Sequence, residues 1–234
     1  MQIVSDHSER KATVTASRLE PTVLMAEANH RIANNLTLVA GWLRLQSVEV
    51  TKSGRELSAD AAGLLLDEAC ARIDTVSRLH RLLAGVGHGS SVDLQRYLLD
   101  VAQAAIGSMT APGATTLIQA PGDACEIDAA RALSVGFIVG EAVTNAVKYA
   151  HPARVSGCVE LTCHRRPDGA ILVLIGDDGV GLPEGFNPRS GGSLGLRMMR
   201  MLADQLGASL IFESADIGLS VRLLVPADQT PGAA

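Results

Sequence analysis

Apolar positions fall into two different periods along this chain. From Thr22 to about Val50, the residues Ile32, Leu36, Val39 and Leu43 recur at spacings of four, three and four, with Leu38, Trp42 and Leu45 forming a stripe beside them. That is helical periodicity with an apolar surface wider than one face. A second such pattern runs from Ser58 to about Ala84 and places Leu66, Ala69, Ile73, Val76, Leu79 and Leu83 on one side. The stretch between them, Glu49 to Glu56, is polar and holds Ser53-Gly54, a turn signal. Two long helices on so short a link form an antiparallel hairpin. A hairpin that is apolar on more than one face cannot hide that surface alone, and docking a second copy into a four-helix bundle covers it.

The Gly/Ser-rich run Gly85 to Ser91 marks the expected domain boundary. Beyond it the pattern alternates. Leu94 to Ile106 is predicted helical, Thr115 to Gln119 a strand, and Asp128 to Tyr149 a long apolar helix. Val159 to His164 and Ile171 to Ile175 are predicted strands around the turn Arg166-Pro167-Asp168-Gly169. Leu194 to Leu206 follows as a helix, then strands Leu210 to Glu213 and Leu219 to Val225. This order predicts an α+β chain: a loose N-terminus (1–21), a two-helix hairpin (22–86), a two-layer α/β sandwich (92–226) and a loose tail (227–234).

Composition narrows the function classes. Of 234 residues, 47% are hydrophobic and only 19% charged, too apolar and too weakly charged for a disordered chain. No run approaches the ~18 apolar residues of a membrane helix, and Met1 to Lys11 lacks the apolar core of a secretion signal, so no membrane insertion and a cytoplasmic location are expected. A net charge of −5 disfavours a nucleic-acid partner. The four cysteines, Cys70, Cys125, Cys158 and Cys163, have no Cys-x-x-Cys pairing and are expected as reduced, buried thiols rather than metal ligands.

Three stretches of the second half carry candidate chemistry. Asp177-Asp178-Gly179-Val180-Gly181 follows an apolar strand, where paired glycines let backbone approach a flat ligand and a carboxylate can accept a hydrogen bond from an exocyclic amine. Gly191-Gly192-Ser193-Leu194-Gly195-Leu196 opens a helix, whose free N–H groups form a phosphate seat. On the long apolar helix, Glu141, Asn145 and Lys148 fall at i, i+4 and i+7 and share one face. A carboxylate and an amide oxygen facing phosphates suit Mg²⁺, and Lys148 can neutralise phosphate charge. Singly, each Gly stretch reads more readily as a plain turn, and the Glu141-Asn145-Lys148 stripe as a salt-bridged helix edge.

Together, in this order, they resemble a known family. Glu141-Ala-Val-Thr-Asn145-Ala-Val-Lys148-Tyr149 resembles the N box of the GHKL ATPases, Asp177-Asp-Gly179-Val-Gly181 their G1 box, and Gly192-Ser193-Leu194-Gly195 their G2 box. The resemblance covers Leu94 to Val225. In the first half, Glu27-Ala-Asn-His30-Arg31-Ile32-Ala33-Asn34 resembles the phospho-acceptor segment of sensor histidine kinases of the His-Arg type, close to the HWE kinases but without their Trp-x-Glu signature. Arg72 to His80 resembles that subfamily's second helix. Ala33 stands where the subfamily usually has Lys.

The resemblance implies an ATP-dependent, Mg²⁺-dependent histidine kinase of a two-component system. It implies a homodimer that phosphorylates His30 and passes the phosphoryl group to an aspartate of a response regulator receiver domain. His30 is a neutral nucleophile near pH 7, Glu27 one turn earlier can take or orient the ring proton, and Arg31 can steady the transferring group. Asn34 stands at the position of a phosphatase residue in relatives of the His-Glu type. Glu141, Asn145, Lys148, Tyr149, Asp177, Gly179, Gly181, Gly192, Ser193, Leu194 and Gly195 are the implied nucleotide contacts, with Asn145 and Glu141 toward Mg²⁺. The lid between the G1 and G2 boxes, Leu182 to Gly191, is short, unlike that of the large GHKL ATPases. Only about thirty residues precede His30, so the signal is expected from a separate sensor or regulatory protein, or the chain is an excised core. The competing readings are a phosphotransfer scaffold with a decayed ATP site and a GHKL serine kinase of an anti-sigma pathway.

Overall fold

The structure is a computed structural model. It describes residues 58–83, 91–109, 115–152, 155–188, 193–214 and 217–227, and before them 40–41, 43–44, 47–48, 50–52 and 54. The 1–21 terminus, the first helix up to residue 39 (with Glu27, His30, Arg31 and Asn34), residues 85–90 of the expected boundary and the tail from 228 lie outside the described residues. The described residues between 40 and 52 are helical, as the periodicity predicts. No helix among the described residues is long and apolar enough to cross a membrane.

Helix α1 (Ala59–Leu82) starts where Ser58 Oγ accepts the Ala61 N–H at 3.2 Å. Asp60 in its first turn and Arg81 in its last complement the helix dipole. Its apolar residues split into two stripes. Ala69, Val76, Leu79 and Leu83 are buried, and the helix packs against α2 (Leu94–Gly107) and α3 (Ala129–Asn145). Leu66 and Ile73, seven apart and expected on the same side, are 66% and 42% exposed. Leu43 and Val48 of the preceding helical residues are also exposed.

A two-stranded ribbon, β1 (Ser91–Asp93) with β3 (Glu126–Asp128), stands at the head of α2 and α3, its strands antiparallel with Val92 opposite Ile127. Each strand ends in a helix cap. Asp93 Oδ1 accepts the Arg96 N–H at 3.1 Å, and Asp128 Oδ1 accepts the Ala130 N–H at 2.8 Å. The ribbon was not legible in the sequence, because three residues with one apolar side chain show no period.

The remaining strands form one sheet in the order β2 (Thr115–Gln119), β4 (Gly157–Arg165), β5 (Ile171–Asp177), β7 (Leu219–Val225), β6 (Ser209–Ser214). The β2–β4 pair is parallel, with α3 in the crossover between its strands, and the other pairs are antiparallel. Alternation sends Val159, Leu161, Cys163, Ile171, Val173, Ile175, Val221, Leu223 and Val225 into the core. Helices α2, α3 and α4 (Leu194–Gln205) form the second layer, giving the expected two-layer sandwich beside a helical N-terminal part. Helix α3 touches α1, α2 and α4, so Val135, Phe137, Ile138 and Val139 are all fully buried. The cysteines only half follow expectation: Cys125 and Cys163 are buried, and burial pushes the Cys163 thiol up to about 12, but Cys70 is exposed on α1.

One contact inside this layer is unfavourable. The Tyr97 hydroxyl is buried without a hydrogen-bond partner among the described residues, and burial raises its pKa above the ordinary phenol value. A Cβ at Gly136 would lie 2.5 Å from that oxygen. An unsatisfied buried hydroxyl costs ~1–3 kcal/mol. Tyr97→Phe is therefore expected to leave stability unchanged or raise it by about 1 kcal/mol. Gly136→Ala should lower stability by ~1–3 kcal/mol through overpacking, although an exposed helix would gain from the same change. Urea midpoints at constant slope check both.

Candidate functional site

Helix α3 does not stop where its α-helical pattern does. Ala146–Ala150 continue it as a π turn, ending at His151. A π residue advances the chain by less rotation than an α residue, so the turn swings the residues after Asn145 out of the α-helical phase. Asn145, Ala146, Tyr149 and Ala150 come to line a cavity of about 690 Å³. Lys148 instead lines an adjoining cavity of about 600 Å³ with His151 and Cys158, on the far side of the π turn. Asp177 borders both. Glu141, four residues before Asn145, is buried and faces neither of them. It lines a cleft of about 50 Å³ against Thr75, Arg78 and Leu79 of α1. The shared face expected for Glu141, Asn145 and Lys148 is thus divided among three surroundings.

The opposite wall is the loop after β5. Asp177 closes that strand, and its Oδ1 accepts the N–H groups of Gly179 at 3.0 Å and Leu219 at 3.2 Å. Its Oδ2 has no partner among the described residues and remains an acceptor at the cavity. The Val180 N–H donates to the Ala150 carbonyl at 2.9 Å, tying the loop to the end of the π turn. Gly179 sits so close to that point that a Cβ would overlap the Ala150 carbonyl oxygen and methyl group. The close approach that this glycine permits is therefore to backbone of the same chain. Gly181, with φ +69°, lines the cavity, and a Cβ there would overlap the Ser214 hydroxyl.

A second strap runs beside the first. Asp178 Oδ1 accepts the Cys158 N–H at 2.8 Å and lies 3.2 Å from His151 Nε2. The Cys158 N–H holds the Asp178 carboxyl below its ordinary value, with a smaller pull from His151 and an opposing one from burial.

The third side is the start of α4. Ser193 is its N-cap, with no side-chain bond to the first turn, so the helix presents uncapped N–H groups there. Ser193 and Leu196 line the cavity, and Gly195 between them is buried. Leu194 begins the helix. Gly192 lies outside the described residues. An uncapped helix start beside a cavity of this size suits the phosphates of a nucleotide.

Asn145, Tyr149, Asp177, Gly181 and Ser193 are therefore brought together, with Gly179 behind them. Many of the walls were not among the expected contacts, Leu182, Phe186, Phe212 and Leu219 among them. Phe212 and Leu219 were accessible to strand alternation, which turns Phe212 inward opposite Val221. A metal at this cavity would find the Asn145 amide oxygen. One such oxygen suits Mg²⁺, which keeps several waters and takes phosphate oxygens. No cluster of three or more His, Cys, Asp or Glu side chains capable of holding a metal occurs among the described residues.

Comparison with known proteins accounts for both halves. The histidine kinase family matches residues 27–109, and the histidine kinase-like ATPase domain matches residues 110–223. Blue-light-activated histidine kinase 2 of Erythrobacter litoralis is 28% identical over 209 residues, which is 88% of this chain and 57% of that protein. Sensor histidine kinase PdtaS of Mycobacterium tuberculosis is 32% identical over 207 residues, 86% of this chain and 38% of that protein. The chain thus spans well under two thirds of these relatives. Among solved structures, the histidine kinase domain of the Erythrobacter litoralis EL346 blue-light activated histidine kinase superposes with a TM-score of 0.65 at 27% identity, covering 88% of this chain and 94% of that one.

The Asp178 strap gives the site a pH dependence of defined sign. A carboxyl whose folded pKa is depressed adds stability that is present above its unfolded value of ~3.9 and is lost as pH falls through the folded value. Asp178→Asn should therefore be less stable than the wild type at pH 7, and the gap should narrow as pH falls below ~4. Denaturant midpoints of both proteins at pH 7, 5 and 3 check this, and a gap as wide at pH 3 as at pH 7 would contradict it.

Proposed function

We propose that this chain, which belongs to the histidine kinases and carries their ATPase domain, phosphorylates its own His30 from Mg-ATP and hands the phosphoryl group to an aspartate of a response regulator. The observation that carries the reading is the cavity between Asn145, Tyr149 and Asp177, with the uncapped start of α4 on one side. Its volume suits a mononucleotide, and its polar groups are few and placed apart. Asp177 Oδ2 accepts from the exocyclic amine of the base, and the exposed ring of Tyr149 stacks on it. The N–H groups at Ser193 to Gly195 receive phosphate oxygens, and Lys148 approaches the phosphates from beyond the π turn. Asn145 would hold Mg²⁺ through its amide oxygen, Glu141 would order the metal's waters if turned away from α1, and the metal would supply charge neutralisation to the phosphates.

Transfer is a displacement at phosphorus. A ring nitrogen of His30 forms the N–P bond with the γ-phosphorus, the bond to the bridging oxygen breaks, and ADP leaves with that electron pair. Glu27 takes the proton from the other ring nitrogen, and Arg31 holds the transferring oxygens. Such a reaction needs positioning and charge neutralisation more than covalent chemistry. In the second transfer a receiver aspartate docked on the helix surface below His30 forms an O–P bond with the phosphohistidine phosphorus. The N–P bond breaks and His30 leaves with that electron pair to be reprotonated. Asn34 orders water when the regulator is dephosphorylated. The exposed stripe of Leu66 and Ile73, with Leu43 and Val48, is the seam on which two copies form the four-helix bundle. The stimulus reaches this bundle from a sensor segment or a separate regulatory protein.

Purified chain incubated with Mg²⁺ and γ-labelled ATP is expected to acquire an acid-labile, base-stable label. His30→Ala and Asn145→Ala should each reduce it at least a hundredfold, the first by removing the acceptor and the second by removing the metal ligand. Label that survives in His30→Ala overturns the acceptor and favours a serine kinase. Absence of both label and ATP binding favours a phosphotransfer scaffold.

A further inference from the structure

The wall of the cavity formed by Leu182 to Pro188 has little secondary structure of its own, yet it is pinned at three places. At its start the Leu182 N–H donates to Ser214 Oγ at 3.2 Å. In its middle the Phe186 N–H donates to the Pro183 carbonyl at 3.0 Å, a turn whose third residue, Gly185, has φ +72°. At its end the Arg200 guanidinium donates through Nη1 to the Pro188 carbonyl. Arg200 belongs to α4, one turn past Leu196, and does not line the cavity, whereas Leu196, Phe186 and Pro188 do.

We propose that Arg200 is a positioning residue for nucleotide binding, clamping Pro188 onto α4 so that Phe186 and Pro188 form the outer wall of the cavity. Proline has no N–H, so its carbonyl is the one backbone group through which this end can be held. A guanidinium is suited to the task, because it stays charged and offers several donors in a fixed plane. Arg200 is half-buried. Burial lowers its pKa first, the like charge of Arg197 one turn earlier adds to this, and Asp204 one turn later opposes it. A partly desolvated cation must be hydrogen-bonded, and the Pro188 carbonyl meets part of that need. The same bond that satisfies the arginine therefore fixes the wall. The nucleotide part of this proposal rests on the kinase reading above.

The test uses the full chain as wild type, Arg200→Met and Arg200→Lys. Methionine keeps the packed stem and loses the donors, and lysine keeps a charged donor. Hydrogen exchange over residues 182–188 without nucleotide reads the clamp, and calorimetric titration with Mg-ATP and Mg-ADP reads its consequence. Arg200→Met is expected to exchange faster in that segment alone and to bind nucleotide about tenfold more weakly. In the phosphorylation assay its KM for ATP should rise with kcat nearly unchanged, because Arg200 touches no reacting atom. Arg200→Lys should recover most of both. Unchanged exchange in Arg200→Met overturns the clamp. Faster exchange with unchanged affinity overturns its role in binding. Failure of the wild type to bind nucleotide overturns the kinase reading and the binding role with it, while the exchange comparison still decides whether Arg200 holds the wall.

Discussion

Backbone meets backbone between the loop after β5 and the end of the π turn, where the Val180 N–H donates to the Ala150 carbonyl and Gly179 leaves no room for a side chain. Much else depends on that contact. It brings Asp177, at the end of a buried strand, across from Asn145 and Tyr149, at the end of a buried helix. Moving either element outward by the width of a methyl group would separate the carboxylate from the residues it faces. Gly218 tightens the same joint from the other side, since a Cβ there would collide with the Asp177 carbonyl, and its φ of +82° suits no β-branched residue. The Asp178 strap to His151 and Cys158 runs parallel to it, so the loop is fixed by several weak bonds rather than one strong one.

A rigid helix has to carry one side of this joint. Helix α3 is fully buried along most of its length, clasped by the sheet below and by α1, α2 and α4 around it. Close packing on all sides leaves it little freedom to shift. Its π turn then rotates Tyr149 toward the cavity and Lys148 away from it. Glu141 lines a cleft with Thr75, Arg78 and Leu79 of α1, while Asn145, one turn further along the same helix, lines the cavity, so α1 packs within one helical turn of a cavity wall.

Most elements were legible in local pattern. Strands β2 and β7 have the bounds the alternation gives, and α1, α2, α4, β4, β5 and β6 lie within two residues of theirs. What escaped had a physical reason. The ribbon of β1 and β3 is too short for a period, and the π turn lies inside a continuous apolar pattern that an α-helix fits equally well. Leu66 and Ile73 share a helical side with Ala69 and Val76 on a broad apolar surface, and only the position of α2 and α3 shows which stripe the single chain covers. The site residues were recognised by their order and spacing, whereas the side chains that wall the cavity from β6, β7 and the loop after Gly181 carry no motif.

The sequence by itself determined the alternation of helix and strand, because periodicity and turn residues follow from local sterics and from hydrogen bonds between near neighbours. It also singled out Asn145, Asp177 and Ser193 by the order and spacing of three stretches, one on a long helix, one after a strand and one opening a helix. Only the tertiary structure decided that Lys148 and Glu141 face away from the cavity that Asn145 lines, that Gly179 and Gly181 accommodate Ala150 and Ser214, and that Arg200 reaches Pro188. Those outcomes depend on distances between segments far apart in the chain, which packing fixes to within a fraction of an atom's width and which no periodicity encodes.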